Sequence, residues 1–290
     1  MCIGAAEPRT FHPQGGKMKI LFDSMGSQVQ VQDQTHTRLN TLLGAVSSMG
    51  YSRGDPWTVS FSDYRKPLVQ QLDGVDVLAV LTHQWTTYPN LPPAIPRDVS
   101  FAFYDDDLKG LPEWVAGGHG LLLVSNHGAG PGQPPYWPVN DTVLAARFGI
   151  TIVPAAFGGG GTLAFPPAAG APPALVNGVD HVVAHNCCGI GKTDATVILS
   201  IPGTARDGSG HGYKPDDYAF CVLKEWSGGR VIVAGNSGTA GDRGNKWPAN
   251  GMIPAGNNLD FYLNCLAYLG RVPAQGSAAD EEREEAVAAV

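Results

Sequence analysis

The sequence lacks any run of about 18 apolar residues, so no segment reads as a membrane-spanning helix. It also lacks a basic excess. Lys and Arg total 19 against 26 Asp and Glu, giving a net charge of −7, and no basic stripe interrupts the chain. That excludes nucleic acid and anionic membranes as expected partners. Cysteine is sparse: Cys2, Cys187, Cys188, Cys221 and Cys265 make an odd set with no C-x-x-C spacing. A disulfide scaffold and a structural zinc site are both excluded, and the expected compartment is the reducing cytoplasm. Charged residues are only 16% of the chain, too few for a coiled coil. The first residues, "MCIGAAEPRTFHPQGGK", have no apolar core of a signal peptide. Residues 1–17 are expected to be a disordered leader, with Met18 as an alternative start. No internal repeat is present.

What the chain does have is 43% hydrophobic residues over 290 positions, with 38 Gly and 23 Pro. This suits one large, loop-rich α/β domain, expected over 18–271. "MKILF" opens it as a buried strand, and "THTRLNTLLGAVSSMGY" comes next with helical spacing of its leucines. "WTVSFSD" alternates as a strand does, and "KPLVQQLDG" is a short helix opened by Pro67. "VDVLAVLTH" and "GGHGLLLVSNHG" each carry a continuous apolar run, the mark of strands covered on both faces. Between them, 103–116 carries a helical stripe that Pro112 is expected to kink or restart. "VNDTVLAARFGI" is a helix with Asn140 or Asp141 as its cap. Strands alternating with helices imply a parallel sheet with right-handed crossovers. The Gly- and Pro-rich stretch 154–217 breaks this rhythm and is expected to be an insertion or lid over the carboxyl edge of the sheet. The hairpin "YAFCVLKEW–SGG–RVIVAG" and the helix "NNLDFYLNCLAYLG" complete the core, and 272–290 is expected to be an acidic tail.

"HNCCGIGKT" (185–193) ends like the phosphate-binding motif G-x-x-x-x-G-K-[ST], but Asn186 stands where the first glycine belongs. The next residues, "DATVILSIP", are β-branched and strand-like, so no helix N-terminus is available for phosphate. The expected role is a turn between strands, with the adjacent Cys187 and Cys188 facing opposite sides.

In open parallel sheets ligands gather at the carboxyl ends of the strands. Asp23, Ser24, Gly26 and Gln28 come after the first strand; Thr82, His83 and Gln84 after the third; Ser125, Asn126, His127 and Gly128 after the fourth; Asn236, Ser237 and Gly238 after a late one. Polarity in otherwise apolar sequence is costly unless solvated or used. The expected catalytic residues are His127, as base or nucleophile, with His83 and Ser24. Asn126, Gln28, Gln84, Asn236, Ser237 and Trp85 are the expected substrate-binding residues. No cofactor is expected. For a metal, His83 and His127 would supply two ligands, but no carboxylate at metal-motif spacing completes a set. The ordinary alternative for each histidine is a hydrogen bond to a neighbouring loop, and for Ser24 a place in a turn.

The segments "DVLAVLTH", "LPEWVAGGHGLLLVSNHG", "VNDTVLAARFGI" and "GGRVIVAGNSG", followed by "GNNLDFYLNCLAYL", resemble the class I glutamine amidotransferase-like superfamily, in particular its stand-alone ThuA-like branch. The likeness covers about residues 18–270. It implies a three-layer α/β sandwich with a mostly parallel, flavodoxin-like sheet. It also implies a cysteine nucleophile at the turn after the fourth strand and a downstream histidine–glutamate pair. Here the turn reads "SNHGAG", and no H-x-E lies beyond it, so cysteine-dependent glutaminase activity is not expected. Where relatives show an acidic residue before this histidine, the chain has Asn126, which is expected to orient the ring by hydrogen bond. The expected function is a small-molecule enzyme, a hydrolase or lyase. The competing readings are a small-molecule or carbohydrate-binding module stacking its ligand on Trp85, Tyr136 and Trp137, and an assembly subunit. Self-association is left open.

Overall fold

A computed structural model describes residues 18–25, 39–52, 57–83, 102–128, 138–242 and 252–270. The chain is mixed α/β. Its strands are β1 (Lys19–Phe22), β2 (Thr58–Phe61), β3 (Val77–Leu81), β4 (Gly120–Val124), β5 (Ile152–Phe165), β6 (Val182–Gly191), β7 (Thr196–Ser200), β8 (Arg206–Asp207), β9 (Tyr218–Trp226) and β10 (Gly229–Ala234). Its α-helices are α1 (Asn40–Ser52), α2 (Asp105–Ala116), α3 (Val139–Ala146), α4 (Pro173–Val176) and α5 (Asn258–Leu269). These strands join one sheet in the order β2-β1-β3-β4-β10-β9-β6-β5-β8, with β7 paired to β9. The β2-β1-β3-β4-β10 half is parallel, and the remaining pairings are antiparallel.

The strand alternation sorts the core. Ile20, Phe22, Val77, Ala79, Leu122 and Ile232 pack in one apolar cluster with Leu42 and Val46 of α1 and Phe261, Leu266 and Leu269 of α5. Leu21, Leu78, Val80, Leu121, Leu123 and Val231 pack in another with Leu111 and Val115 of α2 and Leu144 of α3. Every residue of β3 and of β4 is buried, which is why both read as uninterrupted apolar runs. Each large side chain buried in this way stabilises the fold by about 1.5–3 kcal/mol. No helix among the described residues is long and apolar enough to cross a membrane.

The structure departs from the sequence expectations at three places. Pro112 neither breaks nor restarts its helix: α2 runs unbroken through it. Neither Asn140 nor Asp141 caps α3; the cap position is Pro138, and both residues are buried inside the first turn. The stretch 154–217 is not a lid. It supplies β5, β6, β7 and β8, which extend the sheet beyond β9. β5 is 14 residues long, and its pairing with β6 slips between Val153 and Phe157 and again between Gly158 and Leu163. Such irregularities let a glycine-rich strand track its partner.

The phosphate-loop look-alike falls on β6, with residues 192–195 turning into β7, so no helix opens there. Lys192 Nζ donates to the Asp216 carbonyl at 2.5 Å. Cys187 joins one apolar cluster and Cys188 the other, as their adjacency on a strand requires.

Candidate functional site

Three segments meet at the carboxyl ends of β1, β3 and β4. The first is the turn after β1, where Asp23 is 1% exposed and Ser24 is also buried. The second is Thr82, immediately after β3, with φ of 57°. A β-branched residue in the left-handed region is a true outlier, and such strain tends to persist where neighbouring contacts impose it. Here the Thr82 N–H and hydroxyl both donate to the Val124 carbonyl, at 2.6 and 3.0 Å. The third is the segment 125–128 after β4, where the Gly128 N–H donates to Ala155 of β5 at 2.7 Å. Gly128 is obligatory there, because a Cβ would sit 1.9 Å from the Pro154 carbonyl oxygen.

The turn at Thr82 swings His83 back over the edge. Its Nδ1–H donates to Asp23 Oδ2 at 2.5 Å, with side-chain exposures of 7% and 1%. The carboxylate fixes the proton on Nδ1, which leaves Nε2 as the chemically available nitrogen. The ring stacks on Phe103 at 4.0 Å between centroids. Burial works to lower the affinity of this imidazole for a proton, but the charge and hydrogen bond of Asp23 outweigh it, and the net shift is upward. His83 therefore holds its proton more tightly than an ordinary histidine.

Two further carboxyls surround the pair. Asp141 Oδ1 accepts the His83 backbone N–H at 3.0 Å. Burial pushes the Asp141 carboxyl up to about 7, although the neighbouring Ser125 hydroxyl and His83 oppose the shift. Ser125 Oγ and Asp141 Oδ2 are each buried, and neither completes a hydrogen bond of ordinary length and angle. Asp107, from the first turn of α2, is 1% exposed and accepts the Val69 N–H at 2.9 Å. Burial raises its proton affinity, with the N–H groups of Val69 and Tyr104 working the other way. A small cleft opens beside His83, lined also by Asp23, Tyr64, Lys66, Phe103, Tyr104 and Asp107. Its free space is about 10 Å³, the room of about one water.

His127 stands on the adjacent strand, three residues beyond Val124, which pairs with Leu81 of β3. Its Nδ1–H donates to the Gly128 carbonyl at 2.7 Å. Burial lowers its proton affinity, and the Gly128 contact only partly compensates. The ring is thus neutral over a wider range than usual, with Nε2 as its acceptor. Asn126 does not orient this ring. Its Oδ1 accepts the His127 backbone N–H at 2.9 Å and its Nδ2 reaches Ser237 Oγ at 3.4 Å, so it shapes the turn instead.

The other expected residues divide plainly. The Ser24 hydroxyl shares a 3.2 Å hydrogen bond with Ser62, not with a histidine. Asn236 accepts the Gly238 N–H at 2.7 Å and donates to Asn186, binding the end of β10 to β6. Gln28, Gln84 and Trp85 lie outside the described residues, as do Tyr136 and Trp137. Among the described residues no group of His, Cys, Asp and Glu is placed to hold a metal ion. The residues that sequence reasoning missed are Asp107 and Asp141, together with the partnership of Asp23 and His83.

No family model matches the sequence, and no curated protein matches it. Solved structures do resemble it. A cytoplasmic protein from Salmonella typhimurium LT2 is 15% identical, aligning over 87% of this chain and 99% of its own with a TM-score of 0.55. A second cytoplasmic protein from Salmonella typhimurium is 16% identical over 87% of this chain and 99% of its own, with a TM-score of 0.52. These likenesses establish a shared fold. Two ThuA-like proteins and a glutamine amidotransferase are also among the structural neighbours. The ThuA-like protein from Parabacteroides merdae is 8% identical over 90% of this chain and 92% of its own, with a TM-score of 0.48.

Proposed function

We propose that this chain is a small-molecule enzyme, a hydrolase or lyase, working at the carboxyl edge of a flavodoxin-like sheet. The flavodoxin-like reading, with helices layered on both faces, rests on the strand order β2-β1-β3-β4-β10 and the two apolar clusters. The observation that carries the catalytic reading is the buried His83–Asp23 pair. A second histidine, His127, three residues beyond the end of the adjacent strand β4, is shifted the opposite way. Environments that push two titratable groups apart are a pattern of acid and base assignments.

In this reading His127 Nε2, neutral, removes a proton from a water or a substrate carbon. His83 Nε2–H gives its proton to the leaving group, and Asp23 holds the ring and balances its charge. The cleft beside His83 has the room of one water, which suits hydrolysis or a dehydration. Asn126, reaching Ser237, shapes the turn around His127, Asn236 ties the end of β10 to β6, and Ser24 sits in the turn that presents Asp23. Gln28, Gln84 and Trp85, close in sequence to Asp23 and His83, are the further substrate-binding residues of this reading.

The experiment is untargeted mass spectrometry of a metabolite extract incubated with the wild type, His83→Gln and His127→Ala. A compound consumed by the wild type and by neither variant is the expected result. Equal consumption by all three would remove the chemistry from this edge. A compound retained by the protein but never consumed would favour the binding-module reading.

A further inference from the structure

We propose that the cleft beside His83 binds a small organic carboxylate, with one of its oxygens at His83 Nε2 and its charge met by Lys66. The site itself stands on the geometry of the cleft; that the bound acid is a substrate rests on the catalytic reading of this edge. The His83 side chain is 7% exposed, and its Nδ1 is engaged by Asp23 at 2.5 Å. No hydrogen bond to Nε2 is made among the described residues, although His83 lines the cleft. A polar atom so enclosed calls for a partner, and the cleft is where one can enter. In the protonated ring that the Asp23 carboxylate favours, Nε2 carries a hydrogen, and its complement is an acceptor oxygen. The free space of about 10 Å³ admits one such atom.

Lys66 lines the same cleft, and the acid nearest to it is already taken. Asp63 accepts Arg65 Nε at 2.9 Å and Nη2 at 3.2 Å, which leaves Lys66 Nζ at 3.9 Å. The loop that presents the ammonium is pinned, because Gln71 Nε2 donates to the carbonyls of Asp63, Lys66 and Pro67. The acids of the lining do not cancel this charge. Asp23 is balanced by His83, and Asp107 accepts the Val69 N–H at 2.9 Å. Asp105 and Asp106, the other acids of that helical turn, are exposed and lie off the lining. Tyr64, Phe103 and Tyr104 form aromatic walls, with Tyr104 39% exposed. Such faces suit the carbon body of an organic acid and would stay bare around an inorganic anion. Phosphate would also bring several oxygens to a floor that holds one.

The test is a titration of the full chain with sodium acetate at constant ionic strength, below the ordinary histidine value of about 6.5, read from the His83 ring NMR signals assigned by His83→Gln. Acetate should move those signals saturably. Acetamide, its neutral isostere, should not, and phosphate should move them less. Lys66→Met should raise the acetate dissociation constant about fivefold, and Lys66→Arg should restore it. The Lys66 side chain is 63% exposed, so both variants should fold. The proposal is overturned by the absence of a saturable shift, by equal responses to acetate and acetamide, by a stronger response to phosphate, or by an unchanged constant in Lys66→Met. The readout needs no turnover. Acetate binding by a protein that consumes nothing supports the site and removes the enzyme reading; consumption of an uncharged compound at this edge, without acetate binding, does the reverse.

Discussion

Replacing Asp23 by Asn removes one negative charge from beneath a buried imidazolium and leaves the volume almost unchanged. The side chains concerned are 1% and 7% exposed, so water cannot take the carboxylate's place. Breaking a buried pair by removing one partner costs about 3–5 kcal/mol, because the remaining charge is uncompensated. For a chain of this size that is a fall in Tm of about 10 °C. The cost should depend on pH. The folded-state affinity of His83 for its proton is raised in the wild type, so the pair's contribution is fully present below the ordinary histidine value of about 6.5 and is lost as pH rises through the folded value. In the variant, burial lowers that affinity, opposed only by the weaker pull of Asp141 and Asp107. The gap between the two proteins should therefore be widest below the ordinary histidine value of about 6.5 and narrow as pH rises above the raised folded value. Chemical denaturation of both across that range measures it. A gap below about 1 kcal/mol at every pH, or one that widens with rising pH, would refute the account of His83 as a buried cation.

The same contacts set other outcomes. Gly128→Ala would press a Cβ to 1.9 Å from the Pro154 carbonyl oxygen, and should cost about 2 kcal/mol or more in chemical denaturation while shifting the His127 ring signal. Tyr262→Phe removes the hydroxyl that meets Thr239 Oγ1 at 2.5 Å in full burial, and should cost about 1–2 kcal/mol. Native Cys187, Cys188, Cys221 and Cys265 are all buried, with thiols pushed up by burial. They should resist iodoacetamide until the protein is unfolded, as peptide mass mapping can check.

The parts of the fold written in local pattern were legible. β3 and β4 are unbroken apolar runs, β10 is apolar after Arg230, and α5 shows its apolar face in sequence. The edge carrying the site was legible too, because polar residues end those runs at Asp23, His83 and Ser125. The Asp23–His83 pairing was not, since the partners are 60 residues apart and nothing local joins a carboxylate to that ring. Asp141 has the sequence signature of a helix cap, and only the tertiary fold turns it inward to the His83 N–H. Asp107 is the last of three consecutive aspartates in the first turn of α2, where such residues are ordinary companions of the helix dipole. β5 was hidden by its own glycines: "FGGGG" carries little strand propensity, and the strand exists through its pairing with β6.

At the centre of the catalytic reading stand two histidines that follow the paired strands β3 and β4, shifted in opposite directions in proton affinity. The most direct measurement is an NMR titration of His83 and His127 in the folded wild type, assigned by His83→Gln and His127→Ala. His83 should titrate above and His127 below the ordinary value of about 6.5. Two ordinary values, or the reverse order, would contradict the assignment of acid and base.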